Sequence, residues 1–122
     1  MAPFNQDLWQ TVVYLFLSKF VQRANAPFAQ EELINQKNID LAGRFAQMVG
    51  DTTEEKKIKF ALLKGLRLLE SEGMVERLSE ETLQLSDEGF SKMKLEVETA
   101  MMKIAQSFPE SQVKGTPEAP VQ

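Results

Sequence analysis

The chain has 122 residues, 14 Lys+Arg against 18 Asp+Glu, 43% hydrophobic residues, and neither Cys nor His. One domain with one core is the default at that length, and disulfide frameworks, zinc sites of the usual donors, thiol catalysis and histidine acid–base chemistry are excluded. The net charge of −4 argues against a generic electrostatic coat for nucleic acid, but leaves room for a local basic patch.

Residues 1–7 carry no positive leader, and the apolar run Val12–Leu17 is broken by Ser18-Lys19, well short of the roughly 20 residues a membrane span needs. The expectation is a soluble cytoplasmic protein with no membrane segment. A first helix is predicted over about Asn5–Ala24. On its wheel Leu8, Trp9, Val12, Val13, Phe16, Leu17, Phe20 and Val21 cover more than half the circumference, whereas a surface helix needs a stripe of about 100°. Two explanations are open: a central core helix, or a helix shared with a second subunit. Asn25-Ala26-Pro27 ends it.

Helical spacing then recurs over Gln30–Gln36 and Ile39–Val49, as one helix or two, with Gly50-Asp51 as the stop. Thr52-Thr53-Glu54-Glu55 has the pattern of a capping box and predicts a long helix from Thr53 to Glu72, ended by Gly73. Met74–Leu78 and Leu83–Leu85, separated by Ser79–Thr82, predict a β-hairpin. Ser86-Asp87-Glu88 starts a last helix, about 86–108. Pro109, Gly115, Pro117 and Pro120 make 109–122 a disordered tail by composition, leaving a single domain over 1–108.

The expected fold class is therefore mainly α with a small β-hairpin and long N- and C-terminal helices. The order of elements, with Leu62, Leu66 and Leu69 leading into Glu72-Gly73-Met74-Val75 and then Leu83-Gln84-Leu85-Ser86-Asp87-Glu88-Gly89, resembles a winged-helix (winged helix-turn-helix) domain of small bacterial transcriptional regulators. The resemblance implies a DNA-binding, transcription-regulating homodimer that reads DNA with the helix 53–72. That helix has a matching charge pattern: Lys56, Lys57, Lys64 and Arg67 fall in one arc of about 100°, opposite Ile58, Leu62, Leu66 and Leu69. These four cations are the candidate DNA contacts. Phe60, in the middle of the arc, is expected to pack on the first helix; the alternative is an apolar contact to a thymine methyl or a protein partner. Lys37 and Arg44 are weaker candidates. A charged helix face is also often merely solvated, and Glu80 and Glu81 at the wing tip depart from the cationic wings of DNA-binding members.

In the last helix Phe90, Met93, Val97, Met101, Ile104 and Phe108 form one apolar stripe, and parts of it repeat every seven residues. It is expected to pair with a second copy, the alternative being that it folds back on the first helix. Paired carboxylates occur only as sequence neighbours and the glycines form no phosphate loop, so neither catalysis, metal nor cofactor is expected. A winged-helix adaptor that binds a protein instead of DNA is the alternative function.

Overall fold

The computed structural model describes residues 4–107. The expected tail, 109–122, and Phe108 lie outside the described residues. The protein is mainly helical with a small antiparallel sheet: α1 (Gln6–Leu17), β1 (Phe28–Ala29), α2 (Gln30–Leu33), α3 (Gln36–Met48), a 3-10 turn (Glu55–Lys57), α4 (Ile58–Ser71), β2 (Val75–Arg77), β3 (Thr82–Leu85) and α5 (Asp87–Ser107).

α1 is capped by the Asn5 side chain, which accepts from the Leu8 amide at 3.1 Å. It ends at Leu17, well before Ala24, because the Lys19 and Phe20 amides turn back to the Phe16 and Leu17 carbonyls in 3-10 fashion, both at 3.1 Å. The chain can then reverse at Asn25, which takes a left-handed φ of 61° and donates its amide to Leu85 O at 2.8 Å. This reversal delivers Phe28 to the sheet, edge-on to Phe20 with ring centroids 5.5 Å apart. The wide apolar surface of α1 is covered by the chain itself: Trp9, Val12, Val13, Tyr14, Phe16 and Leu17 are buried, and α1 packs most extensively on α4 and next on α5. It is the central core helix.

The stretch 30–50 is two helices. Asn35 separates them: it caps α3 by accepting from the Asn38 amide at 2.9 Å, while its amide nitrogen donates back to Glu31 O at 2.8 Å. α3 stops where Gly50 takes a φ of 77°. The predicted capping box at Thr52 does not form. The Asp51 carboxylate takes the Thr53 amide at 3.0 Å, Glu54 stays extended, and the 3-10 turn intervenes before α4 begins at Ile58. α4 buries Ile58, Ala61, Leu62, Gly65, Leu66 and Leu69. Its end follows expectation: Gly73 has a φ of 81°, and the Met74 amide closes on Leu69 O at 2.9 Å.

The hairpin pairs Val75 with Leu85, Glu76 with Gln84 and Arg77 with Leu83. β1 adds a third strand on the far side of β3, with Phe28 opposite Leu83, so the sheet order is β1-β3-β2. Leu83 and Leu85 point into the core and Thr82 and Gln84 are half-buried, as period-2 alternation requires. The Ser86 hydroxyl accepts from the Gly89 amide at 3.0 Å and so caps α5. No described helix is long and apolar enough to cross a membrane.

Candidate nucleic-acid interface

The outer side of α4 is the most strongly cationic helix surface in the described fold. Counting 100° per residue from its true start, Lys59, Phe60, Leu63, Lys64, Arg67 and Glu70 share an arc of about 140°. Lys59, Lys64 and Arg67 are exposed, and Lys56 and Lys57 extend the charge into the preceding turn. All four cations singled out by sequence are thus at the surface and on one side of the molecule's α4 segment. Lys56 and Lys57, however, belong to the 3-10 turn and not to the helix, because the helix starts at Ile58 instead of Thr53. Lys59, which falls outside the arc drawn from Thr53, is a member of the face. It enters because the exposed arc, about 140°, is wider than the arc of about 100° that holds the other four.

Intramolecular demands on these cations are light. Lys57 pairs with Glu54 at 3.4 Å across an exposed turn, worth well under about 1 kcal/mol. Lys64 Nζ lies 4.5 Å from the centroid of the Phe4 ring, an arrangement that orients the ammonium without neutralising it. Lys56, Lys59 and Arg67 have no ion-pair partner among the described residues.

Glu70 is the only acidic residue of α4, and it is occupied. Arg77 reaches back from β2 and holds it with two parallel bonds, Nε to Oε1 and Nη2 to Oε2, both at 3.0 Å. The same guanidinium donates to Gln30 Oε1 at 2.9 Å and to the Glu80 carbonyl at 2.7 Å. Hydrogen bonding to Glu70 raises the Arg77 pKa above its ordinary value, so this side chain is a permanent cation. Arg77 therefore ties the hairpin tip to α2 and α4 and cancels the one negative charge on the α4 surface. The hairpin's one cation, Arg77, is engaged in these bonds, and its other exposed charges are Glu76, Glu80 and Glu81. The sequence contained Arg77 but no local signal of this role, because its partners stand 7 and 47 residues away.

Phe60 does not pack on α1. It is 68% exposed, near the middle of the cationic arc. The positions facing α1 are taken by smaller residues, and at Gly65 the helices approach so closely that a Cβ would lie 3.0 Å from Trp9 O. Lys37 and Arg44 are exposed on α3, with Arg44 lining a shallow cleft beside Asp40 and Glu55. No group of three or more potential metal-binding side chains occurs among the described residues.

No family model, curated protein or solved structure matches the chain.

The last helix divides differently from the expected seam. Met93 is buried, while Phe90 and Val97 pack against the protein's own core, Phe90 with Lys94 Nζ 5.6 Å from its ring centroid. Of that stripe, Met101 is exposed; the Ile104 side chain and Phe108 lie outside the described residues. Leu95 and Met102, absent from the predicted stripe, are more than half exposed as well. They lie one heptad apart on a different side of α5. The fold-back on α1 thus consumes the first half of the stripe, and what stands open is Leu95, Met101 and Met102.

Proposed function

We propose that this chain is a winged-helix protein of the cytoplasm that binds duplex DNA through α4 and acts in transcription regulation as a homodimer. The observation that carries the reading is the charge on the α4 surface: Lys59, Lys64 and Arg67 on the helix with its one carboxylate neutralised by Arg77, and Lys56 and Lys57 in the preceding turn beside Glu54 and Glu55. The order of helices and strands, with a hairpin following the cationic helix, agrees with the winged-helix plan that the residues Leu62–Gly89 resemble. An α-helix fits the major groove, where side chains meet both base edges and phosphates. The acidic hairpin tip restricts this proposed contact to the helix, since Glu80 and Glu81 are repelled by the phosphate backbone. Pairing of two copies is proposed through the open side of α5, with Leu95 and Met102 joining Met101.

The test is a titration of mixed-sequence duplex DNA at several salt concentrations. With about four phosphates neutralised per chain and so about eight per dimer, log affinity should fall with log salt at a slope near −7, and Lys59→Ala with Lys64→Ala should reduce that slope by about 4. No binding at the lowest salt, with the fold intact, refutes the reading and leaves the protein-binding adaptor as its replacement.

A further inference from the structure

Phosphate binding explains the cations of α4 but not the aromatic ring among them. Phe60 stands one turn before Lys64 and two turns before Arg67 on the outer side of the helix, with Lys59 next to it, and is 68% exposed. The other apolar residue of α4 on that side, Leu63, is half-buried. A protein partner would need an apolar contact core there, and a single ring bordered by cations along and around the helix does not supply one. The charge pattern selects an occupant that is anionic on both flanks and has a small apolar spot between them. The major groove has that layout: phosphates line its walls, and each thymine presents a C5 methyl on its floor. A helix about 10 to 12 Å across fills a groove about 12 Å wide, so the middle of the arc faces the bases and its edges face the backbones.

We propose that Phe60 is a specificity-determining residue that packs its ring on a thymine C5 methyl, while Lys59 and Lys64, at the two edges of the arc, hold the flanking phosphates. This rests on the DNA-binding reading and adds to it the class of base recognised. The experiment starts from a random-sequence duplex pool enriched by repeated binding to the full chain. The recovered pool is then prepared in two forms, with thymidine or with deoxyuridine, which differ only in the methyl group. The wild type should prefer the thymidine form by about fourfold for each methyl contacted, the equivalent of one buried carbon. Phe60→Ala, at an exposed position where folding is not at stake, should bring the ratio to about one with the salt slope unchanged. Lys64→Ala should do the reverse, keeping the ratio and reducing the slope of the dimer by about 2. A wild-type ratio of one, or a preference that survives Phe60→Ala, overturns the role of Phe60 while DNA binding stands. Failure to bind either form at low salt overturns both, and an affinity for a glutamate-rich peptide with apolar anchors that is lost in Phe60→Ala would then identify a protein as the occupant.

Discussion

Replacing a helical glycine by alanine ordinarily gains about 1 kcal/mol, because glycine gives up the most backbone entropy on folding. At Gly89, in the first turn of α5, the sign should reverse. A Cβ there would overlap the Met74 carbonyl oxygen and lie 2.7 Å from the Met74 carbonyl carbon, and backbone atoms cannot swing aside as a side-chain end would. Relief requires moving the start of α5 away from the entry to β2. That joint is held by the Ser86 amide on Met74 O at 3.0 Å and by the Ser86 hydroxyl, which donates to Gly73 O at 2.8 Å and accepts from the Gly89 amide at 3.0 Å. Losing two such bonds costs about 2 kcal/mol, residual overpacking adds about 1 to 3, and the propensity gain returns about 1. Gly89→Ala should therefore destabilise by about 3 kcal/mol, which lowers Tm by roughly 12 to 24 °C in a domain of this size. Thermal and urea unfolding followed by circular dichroism measure it. Gly43→Ala in α3 is the control: its Cβ would meet only Ile58 Cγ1, at 3.9 Å, so this variant should gain up to about 1 kcal/mol. A Gly89→Ala protein as stable as the wild type would refute the packing argument.

Three other substitutions probe the site and its support. Arg77→Ala should cost about 1 to 2 kcal/mol in equilibrium unfolding and weaken DNA binding severalfold, since it exposes the Glu70 charge; adding Glu70→Gln should restore the binding but not the stability, and no rescue would show that Arg77 does not act through Glu70. Tyr14, the single tyrosine, is buried with its hydroxyl making no hydrogen bond among the described residues, and burial, with Glu72 and Glu96 nearby, raises its pKa well above the ordinary 10.0. Its contribution to stability is therefore complete below pH 10 and falls above it by up to about 1.4 kcal/mol per pH unit as the unfolded phenol ionises; Tyr14→Phe should remove that slope, whereas reversible tyrosinate absorbance near pH 10 in the folded protein would contradict the burial. Leu95→Glu with Met102→Glu, both at exposed positions, should halve the mass in light scattering without loss of helicity, and an unchanged mass would exclude those residues from the subunit contact.

The candidate site was legible as far as its charges are periodic along one segment. Lys56, Lys57, Lys64 and Arg67 stand out from spacing alone, and all are exposed. The assignment of Phe60 to the core failed because a wheel shows direction but not what covers it. α1 approaches α4 at Gly65, on the other side of the helix, so Phe60 faces outward. Lys56 and Lys57 fall outside the helix because Asp51 captures the Thr53 amide and delays its start to Ile58. Competition between two neighbouring caps is decided by backbone geometry that composition does not contain.

By itself the sequence determined what depends on near neighbours: helical and alternating periodicity, the left-handed stops at Gly50 and Gly73, the Ser86 cap, the hairpin, and the absence of Cys and His chemistry. Only the tertiary structure decided that Phe28 and Ala29 complete a sheet, that the chain's own α4 and α5 cover α1, and that the first half of the α5 stripe is already buried. It also decided that Arg77 cancels Glu70 and leaves the α4 surface cationic. The physical reason is the same in each case. An amphipathic pattern states that a face must leave water, and a charge states that it seeks a counter-charge. Which group meets either need is set by how distant segments pack together.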